Sequence, residues 1–267
     1  MPNGSKRVRV RTSEGRTSRE RRENYRSQEN QAGGNDPLDA VDNHESAPKD
    51  GPETEAIPPE PQLPVLSAPE GGVPPIVEVP AQLQEVAEAL DGSQGPIAVD
   101  TERAQGRTYG TGAYLIQLKR EGGRTYLVDP RAFPDLDILA APMRAEWILH
   151  APDQDLAALA EVGLSPTSLF DTEIAARLLG ARKFGLGALT ESYLGVRLAK
   201  AHQNEDWSKR PLPEAWLSYA ALDVELLPEL RDLLAGKLRE SGRFEWAMQE
   251  FDFELTHPAE QKPQTWR

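Results

Sequence analysis

The sequence contains no cysteine. That excludes a disulfide scaffold, a thiol nucleophile and any zinc or iron–sulfur site ligated by cysteine. No stretch approaches the roughly 18 consecutive apolar residues of a membrane span. The arginines near the start have no apolar run behind them, so they do not read as a secretory signal. A Gly-x-x-x-x-Gly-Lys phosphate loop and a His-Glu-x-x-His motif are both missing. Gly185-Leu186-Gly187 lacks a third glycine, and Gly163-Leu164-Ser165 lacks the glycine that closes a nucleophile elbow. The chemistry expected is that of a soluble, cytoplasmic, acidic protein with no membrane partner and no organic cofactor.

What is present is unevenly distributed. The 267 residues carry 43 acids against 30 Lys/Arg, a net charge of −13, and the mean hydropathy is −0.58. Residues 1–26 are a basic head with nine Lys/Arg and three acids, and residues 27–63 are acidic with nine acids and one lysine. Large apolar side chains are scattered there without period, so 1–63 is expected to be a disordered tail. The head offers RNA contact or a plain solvated tail. Pro64, Pro69, Pro74, Pro75 and Pro80 then predict a stiff linker over 64–80.

From residue 81 the periodicities sharpen. A helical pattern over 82–90 stops at Asp91-Gly92. Strands are predicted at 97–101, 113–118, 124–128 and 147–149, with Glu121-Gly122-Gly123 as a hairpin turn. Pro152 suits the first turn of a helix over 153–162. Further helices are expected at 172–179, 186–194, 213–222 and 225–240. Hairpin-joined strands followed by strands alternating with helices predict an α/β domain with a mixed sheet.

Three short signals carry chemistry. In Val99-Asp100-Thr101-Glu102 the two acids project from one strand face. They repel unless a hard cation such as Mg²⁺ lies between them, although a solvated strand end explains them more simply. In His150-Ala151-Pro152-Asp153-Gln154-Asp155 both acids fit a helix N-terminus, and the histidine offers a ligand, a base or a structural hydrogen bond. In Ser218-Tyr219-Ala220-Ala221-Leu222-Asp223 the tyrosine and aspartate share a helix face, as a surface pair also would.

Taken in order, Asp-x-Glu, His-Ala-x-x-x-Asp and Tyr-x-x-x-Asp resemble the DEDD superfamily of 3′–5′ exonucleases, with the tyrosine marking its DEDDy branch. The flanks Tyr114–Leu118, Val128-Asp129-Pro130, Phe170-Asp171-Thr172 and Trp207…Arg210-Pro211-Leu212 are similar in order and spacing to ribonuclease D. The resemblance covers about 80–267 and implies a ribonuclease-H-like, DnaQ-like fold with the exonuclease domain at 81–245. It implies two divalent ions, Mg²⁺ or Mn²⁺, held by Asp100, Glu102, Asp155 and Asp223, with Tyr219 orienting the attacking water. Arg103 stands where many relatives have an aromatic residue. The loop after it offers Arg103, Arg107 and Tyr109 for phosphate contact and stacking, or is simply an exposed hairpin segment. His150, Trp207 and Arg210 are further candidate substrate contacts; Trp207 fits equally well as a packed loop residue.

Full-length members of that family continue into C-terminal HRDC helical domains. Residues 246–267 are therefore expected to be an extension toward a domain that is absent here. The expected activity is metal-dependent 3′–5′ hydrolysis of RNA with a free 3′ end, tRNA precursors by resemblance, by a monomer. The carboxylates do not distinguish RNA from DNA, so a DNA-directed exonuclease stays open. An inactive nucleic-acid-binding module is a third reading, but such copies usually lose a carboxylate, and all four are present here.

Overall fold

The computed structural model describes residues 63–104, 112–199 and 205–257. The tail up to residue 62, Arg107 and Tyr109 lie outside the described residues. At the centre are β3 (Ile97–Arg103), β4 (Ala113–Arg120) and β5 (Thr125–Val128), consecutive and antiparallel. β6 (Trp147–Leu149) runs parallel to β3, and β7 (Leu169–Asp171) runs parallel to β6. β2 (Ile76–Val77) lies parallel to β5 at the far edge, giving the order β2-β5-β4-β3-β6-β7 among the described residues. This is the mixed sheet the sequence predicts. β3, β6 and β7 are buried almost throughout because helices cover both faces, and their Ile, Val, Leu, Trp and Phe side chains suit that environment.

The helices are α1 (Pro80–Asp91), α2 (Asp137–Ala140), α3 (Asp155–Glu161), α4 (Thr172–Leu178), α5 (Leu186–Leu189), α6 (Glu214–Glu225), α7 (Leu227–Glu240) and α8 (Phe244–Thr256). α1 opens on Pro80, whose fixed φ suits a first turn. It buries Leu83, Val86, Ala87 and Leu90 on one stripe. α6 lies across β3, β4 and β5, whereas α7 and α8 pack on α4 and the β6–β7 end of the sheet. No helix among the described residues is long and apolar enough to cross a membrane.

Four expectations need correction. Residues 64–80 do not merely link. Val65–Leu66 forms β1, paired in parallel with β8 (Arg197–Leu198), and Ile76–Val77 joins the main sheet. The stretch 186–194 is not regular throughout, since α5 passes into a π-helical turn over Thr190–Leu194 that ends at Gly195 with φ 67°. The helix expected from 153 begins at Asp155, because Ala151 turns the chain with φ 54° and donates its N–H to Asp171 Oδ1 at 3.1 Å. Residues 246–256 lie within α8 and pack into the core rather than beginning an extension. Ala247 and Phe251 of α8 are fully buried, and the Phe251 ring lies 4.9 Å from Phe170. Burial of a phenylalanine contributes roughly 1.5–3 kcal/mol.

Candidate active site

β3 leads Asp100 and Glu102 out of the middle of the sheet on one face, and α6 brings Asp223 over that same face. One carboxylate oxygen from each of Asp100, Glu102 and Asp223 lies within 4.8 Å of the others. Asp155 arrives from a different direction as the first residue of α3. Its Oδ1 accepts a hydrogen bond from Thr101 Oγ1 at 2.5 Å. Thr101 points away from its neighbours Asp100 and Glu102, so strand alternation lets one tripeptide serve the cluster from both faces.

The electrostatics of this cluster are unfavourable without a cation. Burial pushes the Asp100 carboxyl well above the usual carboxylate range, and the charges of Asp155, Asp223 and Glu102 push it further. Glu102 is raised well above its ordinary value by burial and by Asp223 and Asp155, with Arg103 opposing. Asp155 is raised by burial, and the Thr101 hydrogen bond opposes this. Burial carries Asp223 to about 7, although the Tyr219 phenol donates a hydrogen bond that favours its carboxylate. Hard carboxylate oxygens converging within a few ångströms, each destabilised as an anion, are the donor set that Mg²⁺ or Mn²⁺ selects. The residues therefore fit divalent-ion binding.

A model of the 3′–5′ exonuclease family matches residues 74–239. The chain belongs to the 3′–5′ exonuclease family. Ribonuclease D from a Shewanella species is 40% identical over 163 residues, which are 59% of this chain and 42% of the relative. The chain thus spans less than half the length of the curated relatives it matches. A solved protein from Bifidobacterium adolescentis superposes with a TM-score of 0.73 at 42% identity, covering 77% of this chain and 51% of that one. Escherichia coli RNase D, an exoribonuclease involved in structured RNA processing, gives a TM-score of 0.65 at 32% identity over 71% of this chain and 51% of its own.

Within this exonuclease domain the remaining candidates divide. Arg103 sits at the rim, where a register shift follows Glu102, and its guanidinium bonds to Gln154. His150 Nδ1 lies 2.9 Å from Thr172 Oγ1, a hydroxyl that also lies 3.1 Å from the Leu149 carbonyl and so ties the ring to the end of β6. Trp207 is fully buried, with its ring 5.4 Å from Trp216, so as placed it cannot stack on a base. Arg210 pairs with Asp129 at 2.6 Å and bonds to the carbonyls of Trp207 and Tyr114, holding the loop before α6 against β4. Both residues look like substrate contacts in sequence because a tryptophan and an arginine in a loop carry no mark of burial.

Sequence reasoning missed three residues around the site. Thr101 was hidden between two acids. Asp171 caps α4 through Glu173 N at 2.7 Å and also holds the Ala151 turn, a role its Asp-Thr-Glu context announces. Gln117 faces Asp100 across the β3–β4 ladder and is fully buried.

Proposed function

We propose that the domain is a metal-dependent 3′–5′ exoribonuclease of the ribonuclease D type. Asp100, Glu102, Asp155 and Asp223 hold two divalent ions, and Tyr219 orients the attacking water from its place beside Asp223. Bound ions would stabilise charge on both the attacking and the leaving oxygen of the phosphodiester. The protein's own part is positional. β3 and α6 converge three carboxylates, Thr101 orients Asp155, and the phenol of Tyr219 donates to Asp223, whose carboxyl burial pushes up to about 7. Arg103 lies beside Glu102 and Asp155 and suits contact with a phosphate near the 3′ end. The observation that carries this reading is the meeting of Asp100, Glu102 and Asp223 within 4.8 Å in a member of the 3′–5′ exonuclease family.

The substrate we propose is RNA with a free 3′ end, including tRNA precursors, acted on by a monomer in the cytoplasm. The test is incubation of single-stranded RNA, a tRNA precursor and single-stranded DNA with Mg²⁺, Mn²⁺ or EDTA. Stepwise shortening from a free 3′-hydroxyl of RNA, abolished by EDTA and by a 3′-phosphate block, is expected. Shortening of DNA alone, or internal cleavage, would overturn it.

A further inference from the structure

The helix that supplies Tyr219 and Asp223 packs on the sheet partly through small residues, beside the buried Trp216, Leu222 and Val224. Ala220 and Ala221 are fully buried beneath it. Small side chains bring helix and sheet close with little interlocking at that contact, so restraint from elsewhere adds to the hold of the larger residues. Another part of the chain supplies that restraint. Residues 63–77 are anchored first on β8, where Arg197 N donates to Pro64 O at 2.9 Å and Ala199 N donates to Leu66 O at 3.0 Å. The segment then meets α6 twice. Ser218 Oγ donates to Ser67 O at 2.8 Å, and Glu70 N donates to Glu225 Oε1 at 3.2 Å.

The other oxygen of Glu225 is held from the sheet, by Thr125 Oγ1 at 2.7 Å and Lys119 Nζ at 3.1 Å. Glu225 is buried, so losing these partners would strand a carboxylate away from water. Ser218 and Glu225 are seven residues apart, which places them on one stripe of α6 about 10 Å apart along its axis. Tyr219 and Asp223 lie on the neighbouring stripe. Fixing both ends of one stripe removes rotation and sliding together, the two motions that would carry Asp223 away from Asp100.

We propose that residues 63–77 form a clamp whose bonds to Ser218 and Glu225 position α6 for catalysis. The Ser67 carbonyl, the backbone N–H at position 70 and the side chains of Ser218 and Glu225 are the positioning groups, acting through Tyr219 and Asp223. Ser67 and Glu70 precede residue 74, where the match to the family begins. Its catalytic consequence rests on the exoribonuclease reading above.

The test uses the full chain and removes the two clamp bonds with little else. Glu70 is the second residue of a turn closed by Gly72 N to Pro69 O at 2.9 Å, a position that accepts proline. Glu70→Pro therefore deletes one N–H, and Glu70→Ala keeps it. The double variant Glu70→Pro/Ser218→Ala is compared with wild type and with Glu70→Ala. Readouts are backbone hydrogen exchange over residues 214–225, Mn²⁺ binding by calorimetry, and kcat and KM on a 3′-hydroxyl RNA. We expect exchange in α6 to accelerate, Mn²⁺ affinity to weaken and kcat to fall by about tenfold at nearly constant KM, since a small misplacement of a catalytic group is costly. Glu70→Ala should match wild type.

Wild-type exchange, Mn²⁺ affinity and kcat in a folded double variant would overturn the clamp. If the double variant does not fold, the same readouts on Ser218→Ala alone decide, with a smaller shift in the same direction expected. If wild type cleaves no RNA, the activity reading fails, while exchange and Mn²⁺ binding still judge the clamp.

Discussion

Thr101 Oγ1 donates to Asp155 Oδ1 at 2.5 Å, joining the strand that carries Asp100 and Glu102 to the helix that carries the fourth acid. A hydrogen bond to a buried carboxylate contributes about 1.5–3 kcal/mol, so Thr101→Val should lower stability by an amount near the bottom of that range. It should also lower kcat by roughly tenfold, because Asp155 loses its orientation. Urea denaturation and steady-state kinetics check both effects. A kcat equal to wild type would detach Thr101 from the site.

The metal-free domain should become less stable as pH rises. Asp223 titrates at about 7 in the folded chain, against roughly 3.9 when unfolded. Between those values the folded state holds a proton that the unfolded state has released, so stability falls across that window and the loss is complete above it. Asp100 and Glu102 are shifted in the same direction and add to the slope. Calorimetry in EDTA should therefore give a lower melting temperature at pH 8 than at pH 5.5. Mg²⁺ should restore much of the difference at pH 8, and Asp223→Asn should flatten the profile.

Tyr219→Phe removes the phenol that hydrogen-bonds Asp223. The ring still fills its place, so stability should change little. The rate should fall by roughly 10–100-fold, the range typical of a lost proton-handling group. The acid limb of the pH–rate profile should move to higher pH, since the bond that favoured the Asp223 carboxylate is gone. An unmoved limb would mean that Tyr219 does not act through Asp223.

Arg210→Met should injure the fold rather than substrate binding. The guanidinium bridges Asp129 and the carbonyls of Trp207 and Tyr114. Removing it should cost about 1–3 kcal/mol by leaving Asp129 and the carbonyls without their donor. KM for RNA, measured well below the melting temperature, should stay within about twofold of wild type, a shift too small for a lost charged contact to phosphate. A large rise in KM would return Arg210 to the substrate.

The acidic cluster of this fold was legible in sequence because its signals are local. Strand alternation placed Asp100 and Glu102 together, and helical spacing placed Tyr219 with Asp223. The mixed sheet followed from hairpin turns and from strands alternating with helices. What was not legible depends on distant partners. β1 and β2 are two residues each, and their proline-rich surroundings read as a spacer until β8 and β5 provide ladders for them. The stretch from 246 reads as an extension toward a further domain until Phe170 gives Phe251 a partner. Trp207 and Arg210 show the same limit from the other side. Their residue types suit nucleic acid, and only packing reveals that Trp216 and Asp129 already occupy them.

The most direct test of the central claim compares wild type with Asp100→Asn on a 5′-labelled single-stranded RNA bearing a free 3′-hydroxyl. The account predicts a ladder of products shortened one nucleotide at a time by wild type in Mg²⁺. It predicts no ladder from wild type in EDTA, and none from a variant that retains its fold by circular dichroism. A ladder from Asp100→Asn at the wild-type rate, or one that persists in EDTA, would contradict it.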